Sequence, residues 1–398
     1  MPSQRLKLPL ILAAVALLLV SLIRYQQQSD AAGRLASLLA APYRVIPSNS
    51  VETPANATLG FGAVYVVSGP ESPRKQPLLE AAAVSEIDLT IPAQTAWTEE
   101  DVASFQIEDR ENSKIKSGSI KAWLSHHLVL RDFLASGKET ALILEDDVDW
   151  DIRLRTQQVP ISQRATRTLL NSTGRNEARY PWGSPASWEV LWLGHCGDYF
   201  GALGDGVGVG HHHPQNLKKT QHILAEDKTM LWHTDLHPFT ASLLTAFNVP
   251  EQARVIHRSQ WPLCTFGYAV TRESARRILY EIAPAKEDPV TPMTAYDAAM
   301  LTGCRDGPLV CYTIQPELFH HMEGASLIAI AEEKERVIHR PPVDAAGLEQ
   351  AKFRGETSNI NCGFWSGEFY FEGDEQKLRH LRQKVGREGQ CLKAKYSS

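Results

Sequence analysis

The sequence predicts an α/β fold in which a mostly parallel sheet is flanked by helices, and three observations carry that prediction. Short aliphatic and β-branched runs of strand length recur along the 398-residue chain at Phe61 to Val67, Ala141 to Leu144, Val190 to Leu193, Thr265 to Val270 and Leu309 to Ile314. Stretches of helical period lie between several of them, as they do where crossover helices join parallel strands. The second run opens abruptly into Glu145, Asp146, Asp147 and Asp149, four acids within five positions. Ligand sites in such sheets gather just beyond the carboxyl ends of strands.

The first strand closes at Ser68-Gly69-Pro70, and Pro77 to Val84 then reads as a helix. Ser119 is placed to cap a helix running to about Ala135, because Ile120, Trp123, Leu124, His127, Leu130, Phe133 and Leu134 recur near a 3.6-residue period. That helix feeds the strand before the acids. Val190-Leu191-Trp192-Leu193 ends at Gly194-His195-Cys196-Gly197. After the strand from Thr265 to Val270, the Thr271 hydroxyl suits a helix N-cap, with Ala275, Ile278, Leu279 and Ile282 on one face. Leu309 to Ile314 ends at Gln315-Pro316.

Ile152 to Ser187 and Asp198 to about Pro238 read as surface excursions. The second carries glycines from Gly204 to Gly210 and then His211 to His213, without the fixed spacing of a phosphate or metal site, and reads as a loop. After Ile330 a polar and then aromatic tail reads as an extension packed on the domain.

Composition is that of a globular protein, 43% hydrophobic and 22% charged. A net charge of −5 offers no basic footprint, so nucleic acid is not an expected partner. Leu8 to Ile23 is apolar and uncharged, preceded by Arg5 and Lys7 and followed by Arg24. It is short for a span, which usually needs about 20 residues, yet no small-x-small cleavage site follows it closely. The expectation is an uncleaved anchor with a cytosolic N-terminus, making a single-pass type II protein of the Golgi or endoplasmic reticulum membrane. The chain then divides into a cytosolic tail at 1–7, a transmembrane anchor at 8–23, a stem at 24–58, a folded domain at 59–330 and a C-terminal extension at 331–398. The sequons Asn56-Ala57-Thr58 and Asn171-Ser172-Thr173 agree with a lumenal domain. Six cysteines without C-x-x-C spacing read as structural, with Cys304–Cys311 and Cys362–Cys391 as the local pairings to test.

Crowded carboxylates repel one another unless a cation sits among them, and their hard oxygens suit Mg²⁺ or Mn²⁺. Asp147 is the first candidate ligand, with Glu145 and Asp149 next, because alternate residues would point one way if the strand continued. Asp146 would then face the other side.

Several pieces in order resemble glycosyltransferase family 25, the group of bacterial lipooligosaccharide and procollagen galactosyltransferases, here with a eukaryotic type II membrane anchor. They are the opening strand, "GSIKAWLSHHLVL" from Gly118, "ALILEDDVDWD", "WEVLWLG", "CTFGYAVTRESARRIL", Tyr296-Asp297 in "TAYDAAM", and "QPELFHH" followed by Ser326. The resemblance spans about Phe61 to Ile328. It implies an A-type nucleotide-sugar glycosyltransferase fold over 59–330, a UDP-sugar donor (usually UDP-galactose), Mn²⁺ or Mg²⁺ dependence, and inversion at the sugar carbon. The acceptor class is a glycan, glycolipid or protein.

Inversion needs a group on the face opposite the diphosphate to take the acceptor proton. Asp297 leads, beside the alternative that it caps a helix after Thr294, and Glu189 and Asp235 follow. For donor binding the candidates are Asp146 toward ribose, the Ser125-His126 pair and Arg74 toward diphosphate. His126, at helical spacing from Trp123, Leu130 and Phe133, reads first as a residue of the buried core face, and Arg74 equally suits a solvated loop. His320 or His321 would supply an imidazole to the metal, with His321 preferred. The competing expectation is a non-catalytic glycan-binding or scaffold protein on the same fold. A hydrolase using Ser125 and His126 is set aside, because adjacent residues on one helix do not face each other.

Overall fold

The computed structural model describes residues 43, 45–48, 52–172, 177–200, 214–322 and 355–394. The proposed anchor at 8–23, Thr173, the glycine and histidine run at 204–213, and Ser326 lie outside the described residues. From Val45 onward the elements are β1 (Val45–Ile46), β2 (Val64–Val67), α1 (Lys75–Ser85), β3 (Leu89–Thr90), α2 (Glu99–Phe105), α3 (Ser117–Ala135), β4 (Thr140–Glu145) and β5 (Val148–Trp150). Then follow α4 (Val159–Leu169), β6 (Val190–Gly194), β7 (Gly197–Asp198), α5 (Pro214–Lys218), β8 (His222–Glu226), α6 (Pro238–Ala246), β9 (Ala253–Arg258) and β10 (Pro262–Leu263). The last are β11 (Gly267–Thr271), α7 (Arg272–Arg277), α8 (Tyr296–Arg305), β12 (Cys311–Gln315), β13 (Phe319–His321) and α9 (Glu375–Leu381).

Nine strands form one path in the order β1-β8-β9-β12-β6-β11-β4-β2-β3, with β13 and β5 attached beside β6. The sheet is mixed, which corrects the expectation of a mostly parallel one. β2, β3 and β4 run parallel, as do β6 and β12, but β11 lies antiparallel to both of its neighbours and β9 to both of its own. The direction of β11 follows from where its chain enters. Cys264 is bonded to Cys196 just after β6, so β11 must start at the carboxyl edge of β6 and β4 and run back. Gly267 is therefore opposite both Leu144 and Gly194. A Cβ on Gly194 would sit 2.9 Å from the Gly267 nitrogen, so this crossing requires the absence of a side chain.

The central strands are buried on both faces, which explains their unbroken apolar runs. Ala141 and Ile143 face the core layer holding Trp123, Leu130, Phe133 and Ile278, whereas Leu142 and Leu144 face the layer holding Leu78, Ala81, Ala165 and Leu381. Helix α3 carries the predicted stripe but starts at Ser117 behind Lys116 as its N-cap, so Ser119 lies within its first turn. Thr271 caps α7 as expected, its hydroxyl accepting from the Ser274 amide.

Three segments belong to the domain more deeply than expected. The first supposed excursion contains α4, whose Val159, Ile161 and Ala165 are buried against the sheet. The second contributes β8, paired with β9 and with β1, which itself lies in the supposed stem. Residues 355–394, within the expected packed extension, place Cys362, Phe364, Phe369, Leu378 and Val385 in the core itself. Lys393 and Glu356 form a fully buried ion pair there, 2.8 Å apart.

Three disulfides are present, Cys196–Cys264, Cys304–Cys311 and Cys362–Cys391, and they point to an oxidising extracytoplasmic or lumenal compartment. Among the described residues, no helix is long and apolar enough to cross a membrane.

Candidate functional site

The carboxyl edges of β2, β4 and β6 meet where β4 ends, and the acidic run turns there. Glu145 is the last residue of β4, Asp146 and Asp147 make the turn, and β5 begins at Val148. The turn breaks the alternation expected of a continuing strand. It keeps Glu145 and Asp147 within electrostatic reach of each other and sends Asp149 elsewhere.

A polar chain through α3 and β11 holds Glu145. Thr265 donates its hydroxyl to Oε1 at 3.1 Å, and His126 Nε2 lies 3.4 Å from the same oxygen. His126 Nδ1 is 3.1 Å from the Tyr268 hydroxyl, which is 3.0 Å from that of Tyr296. The imidazole also stacks on the Tyr296 ring at 4.6 Å. Burial pushes Glu145 up, but the hydrogen bond and charge of His126 and the Thr265 hydroxyl outweigh it and hold the carboxyl below its usual range. His126 is thus a buried core residue that also contacts the acidic turn. Its neighbour Ser125 points away, accepting from Trp97 Nε1 at 2.8 Å and donating to the Lys121 carbonyl.

Asp147 is in the opposite electrostatic state. Burial, and then the charge of Glu145, push it up to about 7, although Arg74 NH1 approaches its Oδ2 at 3.1 Å. Arg74 stands at the N-terminus of α1, so the first βα unit delivers one positive charge to the acids. Oδ1 of Asp147 and Oδ2 of Asp146 are both buried without a hydrogen-bond partner among the described residues, and so is the Ser68 hydroxyl just after β2. Three orphaned polar atoms at the ends of adjacent strands are costly unless a ligand satisfies them.

The other candidates separate. Asp149 is fully buried and accepts from the Trp150, Phe364 and Trp365 amides and the Thr357 hydroxyl, at 2.7–3.3 Å. Its lone pairs are committed to the C-terminal segment, which corrects its assignment as a metal ligand. Asp151 does the same for the Cys362 amide while paired with Arg153. Glu189 precedes β6 at the far edge of the sheet, roughly 16 Å from the acids by strand rise. It pairs there with Arg277 and accepts from the Val310 amide, so it cannot act as base at this site.

Asp297 does come to the site. It lies in the first turn of α8, one oxygen accepting from the Ala298 amide at 2.8 Å and the other from Cys264 at 3.2 Å. Burial raises its pKa despite both amides, and the charge of Glu145 adds to the rise. His321 is on β13 opposite Val148, beside the acidic turn, with its Nδ1 3.2 Å from the Met322 carbonyl. That contact makes Nδ1 the donor and Nε2 the lone-pair atom. His320 is buried and paired with Glu317.

Among the described residues, no group of three or more His, Cys, Asp or Glu is gathered to hold a metal ion. The set Glu145, Asp147, Asp149 and His321 is therefore not a preformed cage. The two orphaned carboxylate oxygens still fit a hard cation of the Mg²⁺ or Mn²⁺ kind, which is commonly held by one or two carboxylates and substrate phosphates.

Sequence reasoning missed Thr265, Tyr268, Tyr296 and Ser68. Tyr268 and Tyr296 sit at apolar-periodic positions and look like core, and nothing local distinguishes a hydroxyl that reaches His126. No protein-family model matches the chain, and no curated protein does.

Proposed function

We propose that this protein is a glycosyltransferase resembling family 25, with an A-type nucleotide-sugar fold, that moves a sugar from a UDP-sugar to a hydroxyl of a glycan, glycolipid or protein. UDP-galactose is the donor that the resemblance favours, and Leu8 to Ile23 would anchor the enzyme in the Golgi or endoplasmic reticulum membrane. The supporting observation is the pair of buried, unpartnered carboxylate oxygens on Asp146 and Asp147, at the strand edge where nucleotide ligands gather.

In this reading Asp147 and Asp146 would hold a divalent cation, which would supply positive charge against the departing diphosphate, an effect worth several kcal/mol. Arg74 contributes a fixed positive charge on the same side, and Glu145, held ionised by His126 and Thr265, keeps the turn attractive to cations. Asp297 takes the proton of the acceptor hydroxyl as its oxygen bonds to the anomeric carbon and the bond to the diphosphate breaks. A carboxylate raised by burial accepts that proton more readily than an exposed one.

The test is a titration of the chain from Val45 onward with UDP and a panel of UDP-sugars, with and without Mn²⁺, followed by turnover measurements. Asp297→Asn is expected to lower turnover by about 10²- to 10⁴-fold while UDP binding stays unchanged. Loss of UDP binding in Asp297→Asn would remove it as base. Absence of metal-dependent binding by folded wild type would favour the scaffold alternative. Glu189→Gln is expected to leave turnover unchanged but to cost about 1–3 kcal/mol in a denaturant melt, since it strands the Arg277 partner. A turnover loss without a stability change would return Glu189 to the site.

A further inference from the structure

At the edge of the sheet opposite the acids, the first sequon is folded into a fixed turn beside a cleft. The Leu59 amide donates to the Asn56 carbonyl at 2.9 Å, and the Gly60 amide donates to Asn56 Oδ1 at 2.6 Å. Because a backbone N–H can only donate, the side-chain atom facing Gly60 must be the oxygen, and Nδ2 is turned outward. Asn56 is exposed, and Nδ2 has no hydrogen-bond partner among the described residues. The turn is locked in place: the Leu59 carbonyl accepts from Gln163 and Trp182, and Gly60 has a φ of +84° that favours glycine.

Asn56 is itself one wall of a cleft of about 210 Å³ whose other walls include Phe61, Lys138, Glu139, Tyr180 and Pro181. Phe61 is stacked on Trp182 at 5.2 Å, and the Arg179 guanidinium lies 5.0 Å over the Tyr180 ring. Phe61 and Trp182 are buried behind the cleft, and the half-buried Tyr180 and Pro181 beside the charged groups suit a pyranose, which offers C–H faces for apolar contact and hydroxyls to Glu139 and Lys138. The three disulfides point to an oxidising compartment in which this modification is made.

We propose that Asn56 carries an N-linked glycan whose first sugar seats in this cleft. This inference does not depend on the transferase reading. The donor is a lipid-linked oligosaccharyl diphosphate. Asn56 Nδ2 forms a bond to the anomeric carbon, the carbon–oxygen bond to the lipid diphosphate breaks, and the displaced amide proton passes to a base of the modifying enzyme. Attachment must precede folding. In the folded turn the Thr58 hydroxyl is donated to the Phe61 carbonyl at 2.5 Å, and the sequon is no longer extended for an enzyme to read.

The test is expression of the full chain in a secretory eukaryotic host, with mass spectrometry of the Asn56 peptide before and after enzymatic removal of N-glycans. Wild type and Thr58→Ser are expected to carry a glycan there, and Thr58→Ala to lose it. Thr58→Ala keeps the Asn56–Gly60 hydrogen bond and so reports attachment apart from folding. An unmodified Asn56 in folded wild type overturns the proposal. Seating is read from the rate of enzymatic glycan release under native conditions, which is expected to be slower for wild type than for Tyr180→Ala, with denatured samples as the common reference. Equal native rates would overturn the seating.

Discussion

Asp147→Asn is expected to abolish metal-dependent UDP binding and, at pH 8, to make the folded domain more stable than wild type. Both effects come from one electrostatic fact. Burial, and then Glu145, push Asp147 up to about 7, and Arg74 only partly draws it back. An unfolded aspartate has a pKa of about 3.9. The folded state therefore holds the proton more tightly than the unfolded state, so stability falls as pH rises from about 4 to about 7 and is level above that.

Asparagine carries no charge at any pH and avoids the loss. The Asp147 side chain is 21% exposed, so solvent screening reduces the full shift to a gain on the order of 2 kcal/mol. A structural carboxylate behaves in the opposite way, since removing it destabilises. In the wild type the cation must displace the proton, so metal affinity is expected to weaken up to about tenfold per pH unit below pH 7. Calorimetric titration with Mn²⁺ and UDP at several pH values, with thermal melts of both proteins at pH 8, decides it. A variant that melts lower and still binds UDP with metal would sink the assignment.

The second large effect is expected at Asp149, two positions along and of the opposite character. Asp149→Ala should destabilise the domain by about 3–5 kcal/mol and loosen residues 355–394, because it strips the acceptor from the Trp150, Phe364 and Trp365 amides and the Thr357 hydroxyl. The Cys362–Cys391 bond closes a loop within that segment and does not tie it to β5, so it cannot replace those bonds. Gly363 shows how close the packing is, since a Cβ there would lie 2.2 Å from Asp149 Oδ2. Denaturant unfolding and limited proteolysis within 355–394 are the measurements. Unchanged stability with a lost metal response would make Asp149 a ligand after all.

The contrast between these two acids shows where the sequence stops being informative. Local spacing identified the strand from Ala141, the helix before it, the Thr271 cap and the position of the acids beyond a strand. Each depends on a few adjacent residues and on a period that burial imposes. Spacing also suggested Cys304–Cys311 and Cys362–Cys391, because a short loop brings such pairs together at little entropic cost. The same spacing treated Glu145, Asp147 and Asp149 as one face, and a two-residue turn at Asp146 and Asp147 undid that. The far tail that consumes Asp149 lies more than two hundred positions away.

The sequence by itself determined the strands near Val64, Ala141, Val190, Gly267 and Cys311, the helices before Ser85 and Ala135 and the one behind Thr271, and that acids follow a buried strand, because these follow from the short-range periodicity of apolar and polar side chains. Only the tertiary structure decided that β11 runs backward between β6 and β4, that Glu189 is held at the far edge by Arg277, that Asp297 reaches the acidic turn, and that the C-terminal segment completes the core. Those outcomes rest on contacts between residues far apart in the chain. Which partner satisfies a buried charge depends on all the surfaces brought together by packing, and no local pattern records it.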